Sequence, residues 1–481
     1  MNKYKKLLSN TLIFGIGTFS SKVMVYLLMP LYTALLSKAE YSTADLITQA
    51  ANLLMPLAAI GMYDGIFRFA IDAGEKKKEV FSSGMAVLLL GSGVFLLLSP
   101  ILWQFDYFDG YNWLIVAFVI SANLQCAVSY YIRGLGFTKM YALQGIINTA
   151  LNIAFNIIFL VCFDMGVLGY VLSVVVANIL VTVFLVIAMK LYRDFDFRSV
   201  TKESVIDMLK YSVPMIPNTV FIWINSVSNR FIIAYFCGDD VNGLFAAALK
   251  IPTAITLLTT VFTEAWQLSA VTDADENDRG KFYSEVFKSY LGLIFMAGSA
   301  LVALSKVFTV LLMDASYYEA WQYMPTLIIS TVYLSLATFM GSVYLVKKKS
   351  VLSLVTSMTG AIVNVVITIL LLPIFIESFG VTVAAQGAAF GAIAGYLAVF
   401  VIRAVNAQCY VKFKTQPVKL IVNTILLSVQ AAVMIFEING WVYYQVALFI
   451  VIVLLNIKPI FDGVLPIIKR FAGRLPNRAN K

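Results

Sequence analysis

Five basic residues lie inside long apolar stretches of this 481-residue sequence: Lys22, Arg68, Arg230, Lys250 and Lys306. A cation in a membrane-like environment is costly unless it faces a polar cavity or pairs with an anion, so such residues are functional candidates. Lys306 lies close enough to the end of its stretch to reach water. We therefore predict that the other four line a polar cavity.

Acidic residues are equally rare in these stretches, which hold Asp45, Asp64 and Glu264. Asp64 lies four residues before Arg68, on the same face of a helix, where the two can form an ion pair. Glu264 has no base at helical spacing, so it pairs with another helix, is protonated, or belongs to the path of a coupling ion. Asp64 and Glu264 are our candidates for coupling.

Pro214 and Pro217 interrupt another apolar stretch, with Asn218 beside them. Proline kinks a helix and frees a backbone carbonyl, which neighbouring helices or cavity water can satisfy in a membrane. We predict either a hinge or a fixed kink at this point, and include these three residues among the gating candidates.

Amide side chains are frequent within the same stretches, and three of them, Asn225, Asn229 and Gln267, are candidates for contacting sugar hydroxyls. Their ordinary role is hydrogen bonding between membrane helices. The number of amides beside so few charges nevertheless favours a hydrated cavity.

The composition excludes several functional classes. The chain is 60% hydrophobic and 13% charged, against about 45–50% and 25% in soluble domains, so it belongs in a bilayer. It has no histidine, which excludes Ser-His-Asp chemistry and histidine metal sites. No phosphate-binding glycine loop or nucleic-acid module is visible. We predict no cofactor, no metal, no nucleic-acid partner and no enzymatic activity.

The elements that position these residues are about fourteen membrane-spanning helices, each long enough to cross a bilayer. The predicted spans, in order, cover 7–36, 41–70, 80–103, 112–133, 141–162, 167–191, 207–236, 243–270, 284–313, 322–346, 351–376, 383–408, 419–437 and 441–457.

The loop charges predict the orientation of these spans. Most of the 35 basic residues fall in alternate loops, among which we count Arg403, whereas the opposite loops are mainly acidic. Cytoplasmic loops retain Lys and Arg, so both termini are predicted to be cytoplasmic. The net charge of +9 then indicates topology.

A weak internal similarity relates spans 2 and 8 and places Asp64 and Glu264 at matching depths. Transporters built from such repeats bind substrate between the halves. We predict an all-α integral membrane protein with two six-helix lobes and two further helices. The predicted divisions are an N-terminal lobe over 1–192, a cytoplasmic linker over 193–206, a C-terminal lobe over 207–410, appended helices over 411–457 and a basic cytoplasmic tail over 458–481.

Several blocks resemble the Wzx-type polysaccharide-unit flippases, which belong to the polysaccharide transporter family of the multidrug/oligosaccharidyl-lipid/polysaccharide (MOP) flippase superfamily. The similar blocks include Ser20-Ser21-Lys22, Leu28 to Thr33, Tyr211 to Asn218, Arg230 to Ile233, Lys250-Ile251-Pro252 and Ala265 to Ser269. The resemblance extends roughly over residues 5–410.

Two positions depart from the family pattern. Asn229 stands where the family commonly has an aspartate before Arg230. If that acid normally pairs with the arginine, Arg230 is freer to meet an anion; if it carries the coupling ion, coupling is altered. Tyr41-Ser42 replaces the more usual Tyr-Gly turn, which should only restrict the backbone.

The resemblance implies a V-shaped MOP-type fold in the bacterial inner membrane. It also implies a substrate, an undecaprenyl-diphosphate-linked oligosaccharide repeat unit that crosses from the cytoplasmic to the outer leaflet by alternating access. Lys22, Arg68, Arg230 and Lys250 would hold the diphosphate, and the prenyl tail would stay among membrane lipids. The product would serve O-antigen, capsule or exopolysaccharide synthesis. Candidate partners are a polysaccharide polymerase and its chain-length machinery, and the energy source is a proton or sodium gradient or the membrane potential.

Three alternatives remain open at this point. A multidrug or cation antiporter of the same superfamily would need acids rather than bases in its cavity. A peptidoglycan-precursor flippase shares the lipid carrier. A membrane polysaccharide polymerase or ligase needs a substantial outer domain, whereas every predicted outer loop here is short.

Overall fold

A computed structural model describes Tyr26 and residues 28–71, 73–104, 108–272, 279–346 and 350–473. Helices and the turns between them account for the secondary structure of these residues, which confirms the predicted all-α class. The α-helices are α1 over 28–35, α2 (Lys38–Ala58), α3 (Met62–Ile71), α4 (Lys77–Leu98), α5 (Asn112–Gly134), α6 (Thr138–Asn156), α7 (Gly166–Ala188), α8 (Lys202–Ser212), α9 (Ile216–Cys237), α10 (Asp239–Ala248), α11 (Thr253–Thr272), α12 (Arg279–Ala303), α13 (Ser305–Leu312), α14 (Met324–Val346), α15 (Ser350–Phe379), α16 (Val381–Ala407), α17 (Pro417–Ile435) and α18 (Trp441–Gly473).

The described helices account for predicted spans 2 to 14. Within the described ranges, 12 helices are long and apolar enough to cross a membrane, or 13 when α2 and α3 count as one bent span. Most of span 1, including Lys22, lies outside the described residues. The protein is a multi-pass membrane protein.

Span 2 is not the continuous helix predicted over 41–70. The chain bends by 56° between α2 and α3, and the backbone takes positive φ values of 52° at Ile60 and 61° at Gly61. An α-helix cannot continue through left-handed residues. A side chain at Gly61 would place its Cβ 3.0 Å from the carbonyl oxygen of Ser212, so this bend is fixed by a close approach of α8.

Span 7 is interrupted where the proline pair predicted it. α8 ends at Ser212, a 3₁₀ turn covers Val213–Met215, and α9 begins with Pro217 in its first turn. Proline is tolerated there because the first N–H groups of a helix have no intrahelical acceptor. The break is therefore real, and its action as a hinge remains a prediction.

Span 8 is also broken, contrary to the continuous helix predicted over 243–270. Residues 249–252 form turns between α10 and α11, and Lys250 lies within these turns rather than within the predicted helix. Pro252 explains the break, because it has no N–H to donate to the preceding turn. The α11 helix restarts at Thr253, whose N–H donates to the carbonyl of Lys250 at 3.2 Å.

By packing, the chain divides into two compact units. Unit 1 comprises Met1–Ala246 with Leu312–Asp314, and unit 2 comprises Ala247–Leu311 with Ala315–Lys481. This division follows contacts, whereas the boundaries predicted from the sequence follow an internal repeat. The lobe boundaries therefore stay a prediction.

Unit 1 contains two hydrophobic clusters. One packs α2, α5 and α7 around buried residues such as Leu46, Leu114 and Val171. The other packs α3, α4, α5 and α8 around residues such as Ile66 and Met208. These clusters fix the directions of the helices that carry Asp45, Asp64 and Arg68.

Unit 2 is built around aromatic rings and buried amides. The Trp266 and Phe339 rings stack at 5.2 Å, and Tyr290 stacks on the same Phe339 ring at 5.4 Å. The C-terminal helices α17 and α18 join through a hydrogen bond of 2.6 Å from Asn456 Nδ2 to Asn423 Oδ1. Polar contacts of this kind specify how membrane helices pack.

Candidate functional site

The predicted cavity base Arg230 forms an ion pair with Asp45. Arg230 Nη1 in α9 lies 2.8 Å from Asp45 Oδ2 in α2, and the two side chains are only 11% and 2% exposed. Next to this pair, the indole N–H of Trp223 donates to the carbonyl of Gln49 at 2.9 Å. The pair therefore lies in a buried contact between α2 and α9 of unit 1.

Asn229 does not leave Arg230 without a carboxylate, although a freer Arg230 was one of the two consequences considered for this departure. The compensating carboxylate comes from a distant segment, 185 positions earlier in the chain. Asn229 itself is buried, at 6% exposure. The sequence offered one signal for the pairing, since Asp45 and Arg230 are both charged residues in otherwise apolar runs.

Further polar contacts connect the start of α2 to the start of α10. Ser42 Oγ donates to Asp239 Oδ1 at 2.8 Å, and Asn242 Nδ2 donates to Ser42 Oγ at 2.8 Å. Thr43 Oγ1 also donates to Asp109 Oδ2 at 2.8 Å. Ser42, which stands where the family more often has glycine, thus does more than restrict the backbone, because its hydroxyl connects α2 with α10.

Gly243 permits this approach of α10 to α2. A Cβ at Gly243 would lie 2.0 Å from the backbone oxygen of Lys38, which no side chain could tolerate. The Ser37 side chain accepts from the N–H of Glu40, and the Glu40 carboxylate accepts from the N–H of Ser37. This capping box begins α2 at Lys38, three residues before the predicted start.

Asp64 and Arg68 both lie in α3, as their spacing predicted. Asp64 is half-buried and Arg68 is exposed at the last turn. Among the described side chains, no ion pair joins these two residues, so the predicted local pairing is not formed.

The remaining predicted site residues are divided between the units. Arg68 and Arg230 belong to unit 1, and Lys250 belongs to unit 2, where it is half-buried. The backbones of Glu264 and Gln267 lie in α11, but their side chains lie outside what the structure describes. Their predicted roles stay predictions.

Two of the predicted polar residues near the proline pair differ in their surroundings. Asn218 Oδ1 is buried without a hydrogen-bond partner among the described residues. Asn225, one of the proposed glycan-facing amides, is 7% exposed. Asn218 thus differs from Asn225 in carrying a buried polar atom without a partner among the described residues, and its role in gating stays a prediction.

Arg403 was missed as an internal charge, because the sequence assigned it to a cytoplasmic loop. It is 9% exposed within α16. Its Nε donates to Thr356 Oγ1 at 2.9 Å, its Nη1 to the carbonyl of Ala337 at 3.1 Å, and its Nη2 to Ser357 Oγ at 3.2 Å. Arg403 thereby joins α14, α15 and α16.

Lys306 is held within unit 2 by one acid and two aromatic rings. Its ammonium pairs with Glu437 and lies 4.1 Å from the ring centre of Trp321 and 4.5 Å from that of Trp441. These are cation–π contacts. Lys306 therefore joins α13 to the C-terminal helices, and its side chain is 12% exposed rather than extended into water.

The family comparison bears on the stretch that contains Lys22, Arg68, Arg230 and Lys250. A model of the family described as polysaccharide biosynthesis protein matches residues 7–267, more than half of the chain. The chain belongs to this family. No curated protein matches the sequence at a significant level.

Solved structures show which fold this polysaccharide biosynthesis protein has. A lipid II flippase, MurJ, in an inward closed conformation has a TM-score of 0.69 at 15% identity, covering 94% of this chain and 100% of that chain. An inward-facing multidrug resistance MATE family transporter of the MOP superfamily has a TM-score of 0.62 at 16% identity, covering 82% and 98%. A MOP superfamily transporter from Pyrococcus furiosus has a TM-score of 0.56 at 14% identity, covering 83% and 95%.

These matches confirm the family and fold inferred from the sequence blocks. The polysaccharide biosynthesis protein has the fold of the MOP superfamily, and it is a membrane protein with many spans.

Proposed function

We propose that this protein is a flippase that translocates an undecaprenyl-diphosphate-linked oligosaccharide repeat unit from the cytoplasmic to the outer leaflet of a bacterial inner membrane. The observation that carries the proposal is the family match over residues 7–267 in a chain whose fold is shared with a lipid II flippase over 94% of its length. Translocation changes no covalent bond, so the proposed activity is transport rather than enzymatic catalysis.

The coverage of the structural matches favours a flippase over a multidrug antiporter. The lipid II flippase matches 94% of this chain, whereas the MATE transporter matches 82%. A cation antiporter would need internal acids that are not paired with bases; Asp45 is paired with Arg230 at 2.8 Å, which leaves Asp64 and Glu264 as the acids that could serve this role. A peptidoglycan-precursor flippase is the second candidate, favoured by the match to the lipid II flippase.

In the proposed mechanism, bases replace the water that solvates the diphosphate in the cytoplasm. Lys22, Arg68 and Lys250 would contact phosphate oxygens through charge-assisted hydrogen bonds. Arg230 would join them by exchanging the carboxylate of Asp45 for a phosphate, so its charge stays paired at each stage. Asp64 and Glu264 would carry the coupling ion, and the proline pair at Pro214 and Pro217 would allow α9 to move.

Deleting the gene tests the assignment. We expect lipid-linked oligosaccharide to accumulate on the cytoplasmic face of the inner membrane, because the carrier cannot cross unaided. Accumulation of peptidoglycan precursor instead would select the second candidate. A deletion strain with neither lipid in excess would rule out both flippase assignments.

Substitutions then test the cationic site. Lys22→Gln and Arg230→Gln should each reduce export at normal protein levels. For Arg230, the double variant Asp45→Asn with Arg230→Gln removes the ion pair without leaving a buried charge. If Arg230 contacts the substrate, the double variant stays defective; if it only pairs with Asp45, export recovers.

A further inference from the structure

A cavity of about 290 Å³ lies between α11 and α14 of unit 2. Its lining side chains are Thr256, Thr259, Thr260, Thr263, Leu334, Ser335 and Thr338. Six of these seven residues carry a hydroxyl, and none is charged. The cavity therefore differs in chemistry from the cationic residues assigned to the diphosphate.

The spacing of the lining residues places their hydroxyl and methyl groups along two facing helices. The four threonines of α11 follow one another at intervals of three, one and three residues, which places them on one face of a helix. Ser335 and Thr338 face them from α14. The spacing of the four threonines is visible in the sequence. The sequence does not reveal that they border a cavity rather than pack against another helix.

The hydroxyls offer acceptors to a ligand. Thr260 Oγ1 donates to the carbonyl of Thr256 at 2.8 Å, Thr338 Oγ1 donates to that of Leu334 at 2.8 Å, and Thr256 Oγ1 donates to that of Thr253 at 2.6 Å. Since each proton is used within its own helix, the oxygen lone pairs remain for incoming donors.

The floor of the cavity is held in place by buried hydrogen bonds. Thr259 Oγ1 lies 2.8 Å from Ser335 Oγ, and Tyr290 donates to Thr259 Oγ1 at 3.2 Å. The Tyr290 ring stacks on Phe262 with 4.3 Å between ring centres. A floor supported in this way is preorganised for binding.

We propose that this cavity binds one sugar residue of the lipid-linked oligosaccharide, an inference that rests on the proposed function. Sugar O–H groups supply the donors that the threonine oxygens accept, and the threonine methyl groups pack against the C–H faces of the ring. A volume of about 290 Å³ is just below the roughly 300–1,000 Å³ typical of ligand pockets. It accommodates one sugar ring rather than the whole oligosaccharide.

The spacing between Lys250 and the threonine-lined cavity agrees with a substrate that has a charged part and a neutral part. Lys250, a proposed diphosphate ligand, lies three residues before the first residue of α11, and Thr259 follows Lys250 by nine residues. A helical rise of about 1.5 Å per residue gives a separation of roughly 14 Å or less along the axis. A diphosphate and a sugar in the attached glycan can span such a distance.

Cysteine protection tests the proposal in the full chain, reconstituted in lipid nanodiscs. The native cysteines Cys126, Cys162, Cys237 and Cys409 are replaced by serine, and Thr260→Cys is labelled with a small thiol reagent. Leu258→Cys is the matched control, because Leu258 is exposed on the same helix and does not line the cavity. The probes are lipid-linked oligosaccharide extracted from the deletion strain and undecaprenyl diphosphate alone.

We expect the oligosaccharide lipid to slow labelling at position 260 by about tenfold when its concentration is ten times its Kd, because the unoccupied fraction is 1/(1 + [L]/Kd). Undecaprenyl diphosphate alone should not protect this position, and neither probe should protect position 258. Equal protection by both lipids would assign the cavity to the diphosphate or the tail and overturn the proposal.

Two further outcomes separate failure of the sugar site from failure of the proposed function. If neither lipid protects position 260 while the cysteine-free chain still exports substrate, the cavity is a packing gap and the flippase assignment stands. If the deletion strain accumulates no lipid-linked oligosaccharide, both proposals fail.

Thr338→Val should reduce export and Thr338→Ser should preserve it, since only serine retains the acceptor oxygen.

Discussion

Arg230 and Asp45 form a buried ion pair of 2.8 Å between two helices that are 185 positions apart in sequence. The pair fixes α9 against α2 at a point where both side chains are nearly inaccessible to water. The ion pair changes the role expected of Arg230 among the internal bases. Arg230 is held by an acid before any substrate arrives, so its contribution to binding depends on exchange of that partner.

The first prediction concerns the stability of this pair. Asp45→Asn leaves Arg230 charged and buried without a carboxylate. Arg230→Gln likewise leaves the Asp45 carboxylate buried without a guanidinium. Each single substitution should destabilise the protein by about 3–5 kcal/mol, as found when one member of a buried pair is removed. The double variant should lose less than the sum of the two, measured by thermal unfolding in detergent. Strict additivity would show that the two charges are not coupled.

The second prediction concerns Gly243. Gly243→Ala would place a methyl group 2.0 Å from the Lys38 carbonyl oxygen, so α10 must move away from α2. Overpacking of this kind costs about 1–3 kcal/mol or more. Thermal unfolding should show a loss of stability, together with faster proteolysis between α9 and α10.

Gly93→Ala is the control for this substitution. A Cβ at Gly93 meets no atom within 4 Å, and alanine is the better helix former by up to about 1 kcal/mol. This variant should be as stable as the native protein or more so. Equal effects of the two substitutions would mean that the contact between Gly243 and Lys38 does not limit the packing of α10.

The spans could be predicted from the sequence because each is a long apolar run, and hydropathy alone determines that such a run enters a bilayer. The break at Gly61 could not, since it arises from the approach of Ser212, a residue far along the chain. The break at Pro252 was visible as a proline, but proline also occurs within bent membrane helices. Local signals therefore identified the interruption in span 7 but not those in spans 2 and 8.

The candidate site could likewise be predicted only in part from the sequence. Charged residues in apolar runs were found from composition, yet their partners were not, because partners depend on which helices adjoin. Arg403 was misplaced for a related reason. The predicted span 383–408 already contained Arg403, but its position four residues before the end of α16 led us to count its charge with the cytoplasmic loop.

The third prediction concerns Arg403. Arg403→Lys keeps the positive charge but loses the planar group that donates to Thr356, Ala337 and Ser357 at once. At least one buried acceptor then lacks a donor, at a cost of about 1–3 kcal/mol. Thermal unfolding should show this loss, whereas Lys412→Met, at an exposed position of the same unit, should have little effect. A variant Arg403→Lys as stable as the native protein would show that charge alone is required.

The fourth prediction concerns the attachment of α18 to α17. Asn456 Nδ2 donates to Asn423 Oδ1 at 2.6 Å, and both side chains are fully buried. Asn423→Leu leaves the Asn456 amide without this acceptor, so it should cost more than the roughly 0.6–2 kcal/mol that such a bond contributes in membranes. Replacing both residues by leucine removes the unsatisfied group along with the bond, and should be nearly neutral. Protease sensitivity of the loop between the two helices measures their separation, with Val429→Ala on the exposed side of α17 as the control. If the double leucine variant separates as readily as the single one, the asparagine pair specifies this packing by more than satisfying its own hydrogen bonds.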